Sequence, residues 1–380
     1  MTTIKKFKDI GAIGGGDLFG SALSAIFWFY LASQIEPEQY GEIHWFLGIA
    51  AIFSGIALFG TVNTLTVYTA KNIQIQSTLN LFSIIASVIL SFFVILLFPS
   101  FYTIDVGVIL IAYVINTLAI GDLLGRKQYN NYSKYAIFQK SLTLILGLSF
   151  FYAFGYESII FALVLSYSLH FKRIYSIFKE IKIDLKLTKT KIGFITNNYL
   201  ISILSISIGQ ADKIVVAPIL GFAILGNYNL AMQIINIMML FPSIFYKYLL
   251  PQESTGIKNK NSKIIVMLFS IIITFCGIFL APILIEQFFP KFADAVDAIK
   301  IMSLIVIPGT ISLILESEFL GNEKSKIVII GTGISLSLLI IGMITLGSMF
   351  GIQGVAYSLV IATISKTILY AFAKQKNSIM

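Results

Sequence analysis

Twelve apolar runs set the problem this chain has to solve. They fall near residues 10 to 33, 42 to 64, 79 to 98, 103 to 122, 135 to 154, 157 to 171, 192 to 211, 226 to 248, 263 to 286, 297 to 319, 326 to 348 and 352 to 373. A helix needs about 20 apolar residues to cross a hydrocarbon core of roughly 30 Å. Lipid offers the backbone no hydrogen-bond partner, so each crossing must satisfy its own N–H and C=O groups as a helix. With 57% hydrophobic and 12% charged residues and a mean hydropathy of +0.90, the chain lacks the roughly 25% charge of a soluble domain. The expected fold is an all-α polytopic membrane protein with about 12 transmembrane helices. A soluble enzyme, a secreted disulfide scaffold and a single-span receptor are excluded. The sixth run is the shortest; His170, Lys172 and Arg173 lie at its end, and snorkelling of such flanking chains lets a short run span.

Charge then orients the runs. The net charge is +9, which by itself suggests nucleic acid or anionic lipid as a partner. With the N-terminus inside, 21 of the 27 basic residues fall in inner segments, as the excess of Lys and Arg in cytoplasmic loops demands. The outer loop SQIEPEQY has acids and no base, and PKFADAVDAIK is the only outer loop with clear bases. Both termini are therefore assigned to the cytoplasm, and the location to the plasma membrane. The first run continues past signal-peptide length without a small-residue cleavage site and is read as a retained span. The longest inner loop, KRIYSIFKEIKIDLKLTKTK, divides the chain into residues 1–171, a basic cytoplasmic linker 172–191, and residues 192–380. It is a solvated, topology-setting tether with some attraction to anionic lipid; it carries no groove-reading motif, so no nucleic-acid partner is expected.

Metal and thiol chemistry find no support. Cys276 lies alone in the run IIITFCGIFL, and neither His44 nor His170 has carboxylate or cysteine neighbours at ligand spacing. No cofactor and no catalytic residue is expected.

The chain also repeats itself. YLASQIEPEQYGEIHWFLGIAAI from Tyr30 aligns without gaps on VVAPILGFAILGNYNLAMQIINI from Val215, setting Ala32 on Ala217 and Gly41 on Gly226. Near the end of each half FGYESIIFALVLS from Phe154 echoes FGIQGVAYSLVIA from Phe350. An even number of spans separates the copies, so the halves point the same way, as six-helix bundles related by a pseudo-two-fold axis along the membrane normal. Such a duplication places a cavity between the halves and permits alternating access.

These segments, together with FFPKFADAVDAIKIMSLIVIPG, resemble the recurring signatures of polysaccharide exporters of the multidrug/oligosaccharidyl-lipid/polysaccharide (MOP) superfamily, and within it the O-antigen-type flippases. The likeness covers essentially the whole chain in order. It implies a MATE-like, V-shaped pair of six-helix bundles that flips a polyprenyl pyrophosphate-linked oligosaccharide from the cytoplasmic to the outer leaflet for cell-surface polysaccharide biosynthesis. It also implies coupling to protons or sodium, and polysaccharide polymerase and glycosyltransferases as partners. The chain is short for that family, so its connecting loops are trimmed.

Flipping needs no covalent catalysis. It needs a polar cavity for sugar and a cation for pyrophosphate, and ionisable groups within spans are the default candidates. Asp17 lies about a third of the way along the first span, as an ion-coupling or head-group site; alternatively GGGD is a loop and Asp17 caps a helix that starts at Leu18. Lys247, near the inner end of the eighth span, either meets phosphate or snorkels. Lys140 and Lys366 raise the same question and are read first as snorkelling; Glu316 and Glu318 are read as interfacial rather than proton-relaying. On the seventh span Asn197, Asn198 and Gln210 offer amides to sugar hydroxyls, or bond to neighbouring helices. Asn63 extends the set to the second span, and Asn229, Gln233 and Asn236 extend it to the eighth, where their spacing puts all three on one helical face. A cation-coupled drug exporter of the same superfamily is the alternative, expected to concentrate acids rather than amides and lysines. A membrane glycosyltransferase or polymerase would need larger outer loops.

Overall fold

In the computed structural model of the chain, which describes residues 3–97, 103–180, 182–253, 260–322 and 324–379, every regular element is helical and each of the twelve apolar runs forms helix. Helices α1 (Thr3–Gln34) and α2 (Pro37–Ala57) form the first hairpin, and α3 (Val62–Ala70) continues α2 after a short break. There follow α4 (Gln76–Leu97), α5 (Thr103–Gly125), α6 (Tyr129–Phe154), α7 (Ile159–Ser166), α8 (Leu169–Glu180) and α9 (Leu185–Thr190). The second half holds α10 (Ile192–Leu220), α11 (Phe222–Met238), α12 (Leu240–Glu253), α13 (Lys260–Phe288), α14 (Asp294–Ser303), α15 (Val306–Gly321) and α16 (Ser325–Ile379). Among the described residues, seven helices are each long and apolar enough to cross a membrane, or nine when the bent pairs α11/α12 (46°) and α14/α15 (43°) count as single spans.

Two helices, α4 and α13, are amphipathic in the opposite sense to those of a soluble protein. On α4, Ser83, Ser87 and Ser91 are buried one turn apart, while Phe82, Ile85, Ile89, Phe92 and Phe93 are exposed. On α13 the buried line is Ser270, Thr274, Gly277 and Ala281, and the exposed line includes Ile272, Phe275, Phe279 and Ile283. In lipid, burying apolar surface gains little, so small residues that let backbones approach take the packed face. A β-carbon on Gly107 of α5 would lie 2.7 Å from the Ser91 hydroxyl, and one on Gly277 would overlap the Ser303 side chain. The buried hydroxyls return to their own helix, Ser87 to Ile84 O at 2.8 Å and Ser270 to Met267 O at 2.7 Å.

Breaks within the helices are also satisfied locally. Between α2 and α3 the Gly60 N–H donates to Ser83 Oγ at 3.1 Å, and Thr61 Oγ1 caps α3 by accepting from Thr64 N at 3.2 Å. Irregular backbone at membrane depth persists only with partners of this kind.

The two glycine pairs that the internal repeat aligns have matching roles. Gly155 turns α6 toward α7 with φ +84°, and Gly351 folds α16 into a helical hairpin with φ +57°. Both angles lie where a side chain is strained. Across the α16 hairpin a β-carbon on Gly354 would overlap the Leu346 carbonyl. The other pair meets face to face: a β-carbon on Gly41 would overlap the Phe222 carbonyl oxygen, and one on Gly226 the Pro37 carbonyl oxygen. Each glycine thus admits the carbonyl four residues before its repeat partner, a reciprocal contact of α2 with α11.

That contact helps explain how the chain divides. One compact unit comprises Met1–Leu31 and Phe46–Gln210; the other comprises Ala32–Trp45 and Ala211–Met380. These units differ from the division at residues 171 and 192 in two segments. Residues 32–45 join the second unit through Gly41 and through Tyr40, whose ring meets Phe292 edge-on at 5.7 Å. Residues 192–210 join the first, where Phe194 packs on Tyr68 at 5.1 Å and Tyr199 stacks on Phe59 at 5.4 Å while donating to Ile56 O at 2.7 Å. The core of that first unit is built from Leu58, Leu65, Leu79, Leu118 and Ile177.

Gly226→Ala or Gly41→Ala should force α2 from α11 and cost about 1–3 kcal/mol, the usual penalty of overpacking. Gly333→Ala, at a site with nothing within 4 Å, should be neutral or slightly stabilising. Thermal unfolding of the purified chain in detergent measures all three.

Candidate functional site

Helix α1 runs unbroken from Thr3, so the reading of GGGD as a loop with Asp17 as a cap is corrected: Asp17 lies in mid-helix. Gly16, with Gly20 one turn on, serves packing instead. A β-carbon on Gly16 would lie 2.6 Å from Ser133 Oγ on α6, and one on Gly20 would lie 3.4 Å from Lys140 Cγ. Gly16 and Gly20 are four residues apart, the small-xxx-small spacing that brings membrane helices together. This approach lets the half-buried Asp17 carboxylate accept a hydrogen bond from the Tyr132 hydroxyl at 2.7 Å.

Asp17 opens on a cavity of about 190 Å³. Helix α1 supplies Asp17 and Ser21, α5 supplies Asn116, and α6 supplies Tyr132, Tyr135, Gln139 and Lys140, with Tyr167 and His170 closing one side. Gln139 is committed to structure: its Nε2 donates to Thr143 Oγ1 at 3.1 Å and to Ser166 Oγ at 3.2 Å, tying α6 to α7. His170 is buried, 5.6 Å from the Tyr135 ring and 3.3 Å by Nδ1 from Tyr167 O. Lys140 is half-buried and forms no ion pair or hydrogen bond among the described residues. It lines the cavity. Tyr132, Tyr135, Gln139 and Lys140 follow the i, i+3, i+7, i+8 spacing of one helical face. That polar stripe was open to view in YNNYSKYAIFQKS.

The other expected site residues are scattered. Asn63 is exposed in the first turn of α3, Asn197 is exposed on α10, and Gln210 is half-buried there. Asn198 turns its amide to Phe194 O at 2.9 Å. On α11, Asn229 is buried and donates to Leu225 O at 2.9 Å, Gln233 lies against the Tyr40 hydroxyl, and Asn236 is exposed. The side chain of Lys247 lies outside the described residues. One residue of this helix that escaped the sequence reading is Asn227, which donates to Ala223 O at 3.0 Å and accepts from Ala295 N at 3.2 Å, fastening α14 to α11. No group of His, Cys, Asp and Glu suited to a metal ion occurs among the described residues.

No family model matches the chain, and no curated protein matches it by sequence. Solved structures do. The lipid II flippase MurJ, in an inward closed conformation, is similar with a TM-score of 0.76 and 16% identity over 95% of this chain and 86% of that one. A multidrug resistance MATE family transporter of the MOP superfamily, in an inward-facing conformation, has a TM-score of 0.69 and 15% identity over 94% of both chains. The chain shares its fold with these two proteins. A MOP superfamily transporter from Pyrococcus furiosus adds a TM-score of 0.66 with 16% identity over 98% of this chain and 96% of that one.

Within this shared fold, corresponding helices of the two units carry the same ionic device. Asp122, three residues before the end of α5, accepts from Arg126 Nε at 2.9 Å and from Arg173 Nε at 2.8 Å. Glu318, three residues before the end of α15, meets Lys263 and Lys374, each at 2.6 Å. Glu316 and Lys366, expected at the interface, pair with each other at 3.1 Å with side chains about a fifth exposed. Asp122 and Glu318 each meet two bases, at least one of them from another helix, and removing the acid costs those bases a counter-ion.

Asp122→Asn should therefore destabilise the chain by about 2–4 kcal/mol, because buried guanidinium charge loses its counter-ion. Asp122→Asn/Arg173→Gln should recover part of that loss. The coupling is read from a double-mutant cycle of unfolding in mixed micelles.

Proposed function

We propose that this chain is a multi-pass plasma-membrane transporter, with both termini cytoplasmic, that flips a polyprenyl pyrophosphate-linked oligosaccharide to the outer leaflet by alternating access. The observation that carries this reading is Lys140. An ammonium on a membrane-length helix without a counter-ion is costly, and an anionic ligand in the adjoining cavity supplies one. A compact, strongly hydrated ammonium suits a phosphate oxygen, while Asn116, Tyr132 and Tyr135 suit the hydroxyls of a sugar. The fold shared with a protein named for flipping lipid II supports the same class of substrate. Gln210, Gln233 and Asn236 remain proposed sugar contacts; Asn198 and Asn229 are assigned to helix structure, since each bonds to its own backbone. Polymerase and glycosyltransferases are the partners that would use and supply such a substrate.

Asp17 favours a second reading, an exporter of small cationic drugs coupled to protons or sodium. A carboxylate beside the cavity would hold the coupling ion in either case, but in a drug exporter it is also the natural contact for the cargo.

Reconstitution into liposomes separates the two. With a fluorescent polyprenyl pyrophosphate disaccharide, the wild-type chain should accelerate exposure of label to a membrane-impermeant quencher, and Lys140→Met should slow it about tenfold or more, the worth of one charge-assisted contact. Ethidium should not be transported under a proton or sodium gradient. Gradient-driven ethidium transport, with lipid movement no faster than in empty liposomes, would move the assignment to the drug exporter.

A further inference from the structure

A second cavity lies away from Asp17, where the ends of α3, α5 and α8 meet the start of α4. It measures about 520 Å³ and is lined by Thr69, Asn72, Gln74, Gln76, Arg126, Lys127 and Glu180 among others. The sequence charge pattern assigns this end, with Lys71, Arg126, Lys127 and Arg173, to the cytoplasmic side.

Its walls are built in an unusual way. Helices α3 and α5 both end in a Schellman turn. In α3 the Asn72 N–H donates to Thr69 O at 3.0 Å and the Ile73 N–H to Tyr68 O at 2.8 Å; in α5 the Lys127 N–H donates to Leu124 O at 3.0 Å and the Gln128 N–H to Leu123 O at 2.9 Å. The left-handed position in such a turn belongs to glycine, with asparagine next. Here it holds Asn72 at φ +56° and Lys127 at φ +57°. These are the only non-glycine residues with positive φ among those described, and both face the same cavity. Gln76 adds a second observation: it is 3% exposed, its Nε2 donates to Thr69 Oγ1 at 2.9 Å, and its Oε1 has no partner. One turn further along α4, Asn80 is fully buried with neither amide atom bonded. Buried amides left open in this way call for a ligand or ordered water.

The charges select the ligand. Arg126 is divided between Asp122 and Glu180, the latter at 2.8 Å, and Arg173 is held by Asp122. Two guanidinium groups thus balance two carboxylates. Lys127 is left as the surplus charge of the wall, without an ion pair among the described residues. A single positive charge, a hydroxyl and three amides fit a monoanionic phosphodiester that carries a polyol. Alongside, α8 presents Phe171 and Tyr175, 48% and 63% exposed, together with Lys179, whose ammonium lies 4.7 Å over the Tyr175 ring. Exposed aromatic rings among lysines are what a lipid interface takes up.

We infer that this cavity binds the polyol phosphodiester head group of an anionic phospholipid, with Lys127 on the phosphate and Asn72, Gln74 and Gln76 on the polyol. The site is separate from the proposed transport cavity, and the inference does not depend on what the chain transports. Binding fixes α3, α4, α5 and α8 together at their meeting point.

The test uses the purified full chain in detergent, with affinity read by native mass spectrometry and melting temperature by intrinsic fluorescence. Phosphatidylglycerol should raise the melting temperature, whereas phosphatidylcholine of the same acyl chains and sn-glycerol 3-phosphate should not. Lys127→Gly suits the left-handed backbone, so it should melt at or above the wild-type temperature without lipid while binding phosphatidylglycerol at least tenfold more weakly. Asn72→Gly should keep the fold likewise and weaken binding by a smaller factor. Equal shifts from the two lipids, or wild-type affinity in both variants, would overturn the site and leave the cavity to water. A shift reproduced by glycerol 3-phosphate alone would overturn the lipid assignment in favour of a soluble phosphate.

Discussion

Close backbone approach at small residues is the interaction on which the rest of this structure depends. In hydrocarbon, association gains little from burying leucine or phenylalanine, so helices hold together where glycine, serine and alanine let main chains come near. Gly41 and Gly226 do this between α2 and α11, Gly277 between α13 and α14, and Gly16 and Gly20 between α1 and α6. On α4 and α13 the large apolar side chains lie on the opposite, exposed face.

The same economy positions the polar groups. Because Gly16 and Gly20 admit α6, Asp17 meets Tyr132 and the cavity next to Lys140 exists at all. Hydroxyls and amides that have no such opening turn back on the i−4 or i−3 carbonyl of their own helix, as Ser270, Asn198 and Asn229 do. A polar side chain within a span therefore either meets a neighbouring helix or returns to its own backbone.

This accounts for what could be read in advance. The twelve spans were legible because apolar length is a local property, and the repeat was legible because glycines at 41 and 226, and at 155 and 351, meet backbone demands that no other residue satisfies cheaply. The site was less so. The amides at 229, 233 and 236 shared a helical face, yet Asn229 is spent on its own backbone. The stripe on α6 was as visible in the sequence, but its meaning depends on Asp17 and Asn116 from α1 and α5, and no local pattern brings three helices together. The glycines at 14 to 16 looked like a loop because glycine weakens a helix in water; at Gly16, against α6, the missing side chain is the advantage.

The way the two compact units exchange segments has a mechanical consequence. Their boundaries fall between Leu31 and Ala32, between Trp45 and Phe46, and between Gln210 and Ala211, inside α1, α2 and α10 and not in any loop. The units are thus joined through continuous hydrogen-bonded ladders. A tilt or kink in any of these three helices is therefore carried along its own hydrogen-bonded ladder into the packing of both units.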